Sequence, residues 1–310
     1  MTTSKLSRRT ALAAGLSTAM FPNALWAQAS TREVEGGIGG TGIVGVITDF
    51  DRLVVSGNQL GVDANTRLSD GFGEVDRTSL RLGDSLTIEA AGPPDALLAR
   101  RIHVTHPLVG AIGAILAGGS RLTVNGVEVV LPDPEPTLAI GKRVAVAGLW
   151  QGAFVIASRV SQAQSDRDLI SGDVRRSFGR VQLGPIAMRG RGITGLPNGS
   201  FATASGQYDP ERQLFRVEAL TPNRFTEAAG SLGRLSIEGY LEPTPTAPGY
   251  RVSGLGHSFA RNLQLSRYKD VRVLFNGAYT GKFAANRALV LPDNVQARRS
   301  LLASFSRTAG

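Results

Sequence analysis

The sequence predicts an all-β protein: about four small β-barrels in tandem, behind a cleaved signal peptide. Three observations carry this. Apolar residues alternate over strand-length stretches bounded by glycine-rich turns, and long 3.6-residue periodicity is scarce. One short pattern recurs along the chain, with landmark glycines Gly83, Gly141 and Gly199 at 58-residue intervals. Each unit holds about five strands of ordinary length. A unit of that size removes its exposed sheet edges by curling into a barrel.

Residues 1–29 read as the signal peptide. Ser7-Arg8-Arg9 gives a cationic start, an apolar stretch follows to Phe21, and Ala27-Gln28-Ala29 has the small-residue cleavage layout, with Ala27 and Ala29 as its recognition positions. The Arg8-Arg9 pair after a serine points to the twin-arginine translocase, with an ordinary secretory signal as the alternative. The location this predicts is periplasmic or secreted. The whole chain of 310 residues carries a formal charge of +9. Without Lys5, Arg8 and Arg9, the mature chain has 31 bases against 25 acids, or +6. That moderate excess favours weak attraction to polyanions and is no nucleic-acid signature. The chain has no cysteine. Disulfides, thiolate catalysis, iron–sulfur clusters, thiolate zinc sites and a lipobox anchor are thereby excluded. No stretch beyond the leader is apolar and long enough to span a bilayer.

The elements follow in order. A glycine-rich lead segment, 30–42, precedes repeat 1 at 43–107. There Arg52-Leu53-Val54-Val55-Ser56-Gly57 reads as a strand running into a turn, and Leu80-Arg81-Leu82-Gly83 precedes the strand Leu86-Thr87-Ile88. An insertion around Asp63 to Ser79 lengthens this copy. Repeat 2, 108–162, has Arg121-Leu122-Thr123-Val124-Asn125-Gly126, then Leu138-Ala139-Ile140-Gly141 before Val144-Ala145-Val146. Asn125-Gly126 is a hairpin signal, because both residues tolerate positive φ. Pro132, Pro134 and Pro136 exclude a central strand. A polar linker, Ser161 to Asp168, leads to repeat 3 at 169–222, with Arg180-Val181-Gln182-Leu183-Gly184 and then Gly199 before Ala202-Thr203-Ala204. Repeat 4, 232–293, is divergent, with Arg251-Val252-Ser253-Gly254 and Val271-Arg272-Val273 in the matching places. Its proline-rich segment 242–248 reads as an exposed loop. Each unit closes on a short strand, at 99–104, 155–160, 214–220 and 283–290. The tail, 294–310, reads as a short helix or a frayed end.

These residues resemble a family. Gly37-Ile38-Gly39-Gly40-Thr41-Gly42-Ile43 lies near the mature N-terminus, a strand ends in Val-Asn-Gly, and Leu-x-Ile-Gly precedes a Val-x-Val strand. This is similar to a family of exported bacterial proteins made of repeated small OB-like β-barrel domains of unknown function. The resemblance is best over 36–162 and implies an OB-like fold for each repeat. It supplies no catalytic residue and no cofactor.

Several motifs bear on chemistry. Gly37-Ile38-Gly39-Gly40-Thr41-Gly42 matches G-x-G-x-x-G, but a strand follows it where a dinucleotide site needs a helix. Gly256-His257-Ser258-Phe259-Ala260 looks like a nucleophile elbow without the α/β context that the elbow requires. On a strand, His103 and His106 face opposite sides, so they could share one metal only if the strand broke between them. They read as strand-end histidines in contact with solvent. Arg52, Arg121, Arg180 and Arg251 recur at one place in the repeat, and read either as soluble strand-end residues or as a row that grips anions. No catalytic, cofactor or metal residue is assigned. The functional expectation is an exported, non-enzymatic binding or scaffold protein, whose partner is an envelope protein, a glycan or another polyanion. The alternative is an accessory subunit of a co-exported redox or cofactor enzyme.

Overall fold

A computed structural model describes residues 39–133, 137–177, 179–225, 231–244, 249–253, 265–280 and 283–308. The leader, the Gly36-to-Ile38 part of the lead segment and the 256–260 motif lie outside them. The described chain is nearly all β, with one α-helix among the described residues.

The first strands are β1 (Gly40–Asp49), β2 (Val54–Val55), β3 (Asn58–Gly61), β4 (Arg67–Ser69), β5 (Ser85–Ala91) and β6 (Leu97–Val104). β1 pairs β2, β2 pairs β3, β3 pairs β6 in parallel, β6 pairs β5, and β5 returns to β1. Five strands thus close a ring, and closure leaves no edge among them. Inward residues alternate with outward ones. In β6, Leu97 and Ala99 are buried while Leu98 and Arg100 are exposed. Ile43, Ile47, Val55, Leu60, Leu86, Ile88 and Ile102 fill the ring.

The same pairing order recurs. β7 (Leu108–Leu116), β8 (Arg121–Val124), β9 (Val127–Val130), β10 (Arg143–Gln151) and β11 (Phe154–Gln162) close in the order β7-β8-β9-β11-β10. β12 (Asp168–Ser177), β13 (Arg180–Leu183), β14 (Ile186–Gly190), β15 (Phe201–Asp209) and β16 (Leu214–Pro222) close likewise. The last strands are β17 (Leu232–Gly239), β18 (Leu241–Pro243), β19 (Tyr250–Val252), β20 (Arg272–Tyr279) and β21 (Phe283–Leu291). Here β17 pairs β20, β20 pairs β21, and β18 pairs β19. Residues 254–264, between β19 and β20, lie outside the described residues. Glu242 and Pro243 belong to β18 rather than to the exposed loop expected at 242–248.

The landmark glycines share one backbone role. Gly83, Gly141 and Gly199 have φ of +88°, +81° and +79°, which L side chains resist. Their amides donate to the carbonyls of Ile47, Ile112 and Val174 in the first strand of each ring, at 3.0, 2.8 and 2.7 Å. In the last group of strands Asp270, with φ of +60°, stands two residues before β20 as these glycines stand before β5, β10 and β15. The final hairpin of every group carries a bulge, at Ala90, Gly148, Gly206 and Gly277.

The groups of strands join by their first strands. β1 pairs β17 in parallel, with Val44 opposite Ile237, and β7 pairs β12 antiparallel, with Leu108 opposite Ile170. The expected tail is the helix α1 (Val295–Thr308), capped by Asn294, whose Oδ1 accepts the Ala297 amide at 2.9 Å. It is docked, not frayed: Leu302 and Arg298 are buried.

A buried ion cluster seats this helix. Glu238 of β17, Arg272 of β20 and Arg298 of α1 each have fully buried side chains. Glu238 Oε1 accepts from Arg272 Nη1 at 2.7 Å and from Arg298 Nη1. Its Oε2 accepts from Ser56 Oγ at 3.1 Å and from the Val46 amide at 3.2 Å. Burial pushes this carboxyl up, but Arg298 and Arg272 together outweigh it and hold the group ionised, below its ordinary range. Glu238→Ala would leave two buried guanidiniums without their shared counter-charge. It should cost about 3–5 kcal/mol in urea denaturation. An unchanged unfolding midpoint would show that the cluster does not hold the helix in place.

The Asn125-Gly126 turn has φ of +50° and +72°, as a type I′ hairpin requires. A Cβ on Gly126 would stand 2.2 Å from the Tyr208 hydroxyl. Gly126→Val should therefore lower stability by about 1–3 kcal/mol. Trp150 is buried and donates from Nε1 to the Ser171 carbonyl at 2.7 Å, so its fluorescence reports the loss. A tryptophan-detected denaturation midpoint equal to that of the parent would contradict the tight turn.

Candidate functional site

The insertion in the first ring builds the site. Between β3 and β5 the chain forms β4, which pairs β6, and then a loop at Asp70 to Ser79. Asp70 shapes the loop: its Oδ1 accepts the amides of Phe72 at 2.7 Å and Gly73 at 3.0 Å, an Asx-type turn. Gly71 lies against Leu169 of β12, where an added Cβ would meet Leu169 Cδ1 at 2.1 Å. Phe72 packs with Val109, Ala145 and Leu169, and the Arg167 guanidinium stands 5.5 Å from its ring centroid. One loop of the first ring is thus anchored on the second and third.

Under this loop lies a cavity of about 690 Å³ between the first and second rings. Its apolar lining comes from Phe72, Val75, Val104, Val109 and Ala145, and its polar lining from His106, Ser79, Ser161, Gln162 and Gln164. Asp84, Arg81 and Arg159 stand at its wall. Asp84 accepts from Arg159 Nη1 at 2.5 Å and from the Arg81 amide at 2.7 Å. Ser158 Oγ donates to the Gly83 carbonyl at 2.6 Å, and Ser85 Oγ to the Gly148 carbonyl at 3.1 Å. These contacts span the two rings and hold the cleft in one shape.

The histidines depart from the sequence expectation of solvent contact. His103 is half-buried, and its Nδ1 lies 3.0 Å from Ser69 Oγ. Burial, with help from the Arg101 and Arg224 charges, pushes its pKa down to about 4. His106 follows β6, and burial lowers its pKa as well. Its Nδ1 is shut from solvent and has no hydrogen-bond partner in the structure. Both rings are therefore uncharged at neutral pH. Burial was hidden in the sequence because the covering surface comes from the insertion and from β11. The one signal available was the insertion itself, which breaks an otherwise regular period.

The four arginines are placed as follows. Arg52 Nη2 meets Asp49 at 3.2 Å, and Arg121 Nη1 meets Glu128 at 2.8 Å. Arg180 is the exposed first residue of β13. Arg251 is mostly buried, 3.2 Å from Glu242 and 3.6 Å from Asp173. Three of the four thus face carboxylates of the protein. None lines the cleft. Arg8, Arg9, Ala27 and Ala29 lie outside the described residues.

Fold and cleft define a β-barrel protein with a preformed cavity between two closed rings. Residues 41–103, which run from β1 to β6, match the family described as a domain of unknown function, DUF5666. No curated protein matches the chain.

A depressed histidine pKa makes stability depend on pH. The unfolded chain binds a proton near pH 6.5, whereas folded His103 waits until about pH 4. Its contribution is whole above pH 6.5 and is lost as pH falls towards 4. The loss is about 2 kcal/mol, after allowance for partial exposure. Urea midpoints should drop between pH 7 and pH 4.5, and His103→Gln should flatten part of that drop. A slope identical in the variant would show that His103 titrates normally.

Proposed function

We propose that this chain is an exported, non-enzymatic binding protein assembled from four copies of one OB-like unit. The recurring strand order, with a parallel pair between third and fifth strands, supports the repeated unit, as do the shared glycine latch and bulge. In this reading the four copies form two pairs, joined at β1–β17 and β7–β12. The leader carries the chain through the twin-arginine translocase, and the mature protein works in the periplasm. The observation that carries the binding role is the cleft: a preformed cavity of ligand size, about 690 Å³, clamped by contacts between rings. A rigid site loses little free energy to ordering when it is filled.

Two measurements test this reading. Replacing Arg8 and Arg9 by lysine keeps the charge and removes the recognised pair, so the precursor should stay in the cytoplasm. Undiminished periplasmic protein would refute the twin-arginine route. Affinity capture of the mature chain from a periplasmic extract, with mass spectrometry and an absorbance spectrum, should yield an envelope component and no chromophore. Stable co-purification with a redox enzyme would instead favour an accessory subunit.

A further inference from the structure

The chemistry of the cleft restricts what it holds. Its charged groups are engaged within the protein. Asp84 holds Arg159, Asp70 holds its own loop, and Arg81 donates to the carbonyls of Thr78 and Leu80. A phosphate or carboxylate drawn to Arg81 or Arg159 would have to compete with these bonds. The remaining polar lining is uncharged, from His106, Ser161, Gln162 and Gln164. One buried nitrogen, His106 Nδ1, has no partner in the structure. That nitrogen is closed to the cleft as it is to solvent, so an occupant meets the rest of the His106 ring, which lines the cavity. An alcohol hydroxyl suits the lining His106 ring, and the Ser161, Gln162 and Gln164 groups beside it, whichever ring nitrogen carries the proton, because it both donates and accepts. The apolar floor of Phe72, Val75, Val104, Val109 and Ala145 calls for C–H surface on the same molecule.

We propose that this cleft binds an uncharged saccharide of one or two rings, with a hydroxyl on His106 and a C–H face on the floor beside Phe72. The site lies under the insertion loop, away from the outer face of the second and third strands on which OB barrels bind polymers. The inference rests on the reading of the chain as a binding protein.

The test uses the full mature chain, labelled with nitrogen-15, and follows the His106 ring nitrogens by NMR. The probes are maltose and diacetylchitobiose as neutral sugars, with glucuronate and inorganic phosphate as anions. A neutral sugar should shift the His106 signals saturably, and the anions should not. His106→Leu should weaken calorimetric binding about tenfold, the worth of one well-made hydrogen bond. Ala163→Trp, which fills the cleft from the end of β11, should abolish it. If His106→Leu fails to fold, the parent's shifts and Ala163→Trp decide. Unmoved His106 signals with both neutral sugars, or tighter binding of glucuronate, would overturn the inference. Capture of an envelope partner with His106 silent would also overturn it, and would leave the binding reading standing. Saturable binding with chemical conversion of the sugar would keep the site and overturn the non-enzymatic reading.

Discussion

The architecture depends on one buried carboxylate. Glu238 sits without solvent contact among groups from three distant parts of the chain: Val46 and Ser56 near the start, Arg272 of β20, and Arg298 of α1 near the end. A charge in such a place is tolerable only with its counter-charges present. The C-terminal helix therefore completes the core. The same contacts set β17 beside β1 in one register, since a slip would separate Glu238 from the Val46 amide. Arg272 is tied further to Asp293 at 3.0 Å, and Arg299 of α1 reaches Asp49 at 3.2 Å.

Polar clamps of the same kind recur where one group of strands meets another. Arg175 donates to both oxygens of Glu242 at 2.8 and 2.9 Å, and Arg251 bridges Glu242 and Asp173. Asn125 reaches from its turn to the carbonyls of Val109 and Leu169, in two different rings. Arg224, half-buried over the Phe201 ring at 3.9 Å, donates to Thr87 Oγ1 at 3.0 Å, and desolvation pushes its pKa down to about 9. Apolar packing would join two barrels in many orientations, whereas buried hydrogen bonds are satisfied in few. This chain has no disulfide, so directional contacts of this kind position its parts.

The cleft follows from that positioning. The Asp84–Arg159 pair and the Ser158–Gly83 bond hold the first and second rings at one separation. The insertion loop then roofs the gap, using Phe72 as its anchor. The ion pair that clamps the rings also occupies Arg159, while the Arg81 guanidinium is held by the carbonyls of Thr78 and Leu80.

Much of the local structure was determined by the sequence itself. Alternating apolar residues place strands, because the side-chain period of a strand is two. Asn125-Gly126 and the evenly spaced Gly83, Gly141 and Gly199 mark positive φ, a property of single residues and their neighbours. Tertiary structure alone decided the rest. Glu238 carries no local mark of its partners, which lie 34 and 60 residues away, with a third contact 192 residues distant at Val46. His103 and His106 read as exposed because their cover comes from segments remote in sequence. Asp270 hid the last of these positive-φ positions, since it is not a glycine. Backbone preference and alternation are short-range effects, carried by each residue. Burial and charge pairing arise only when the chain returns on itself, and the cleft is made of these.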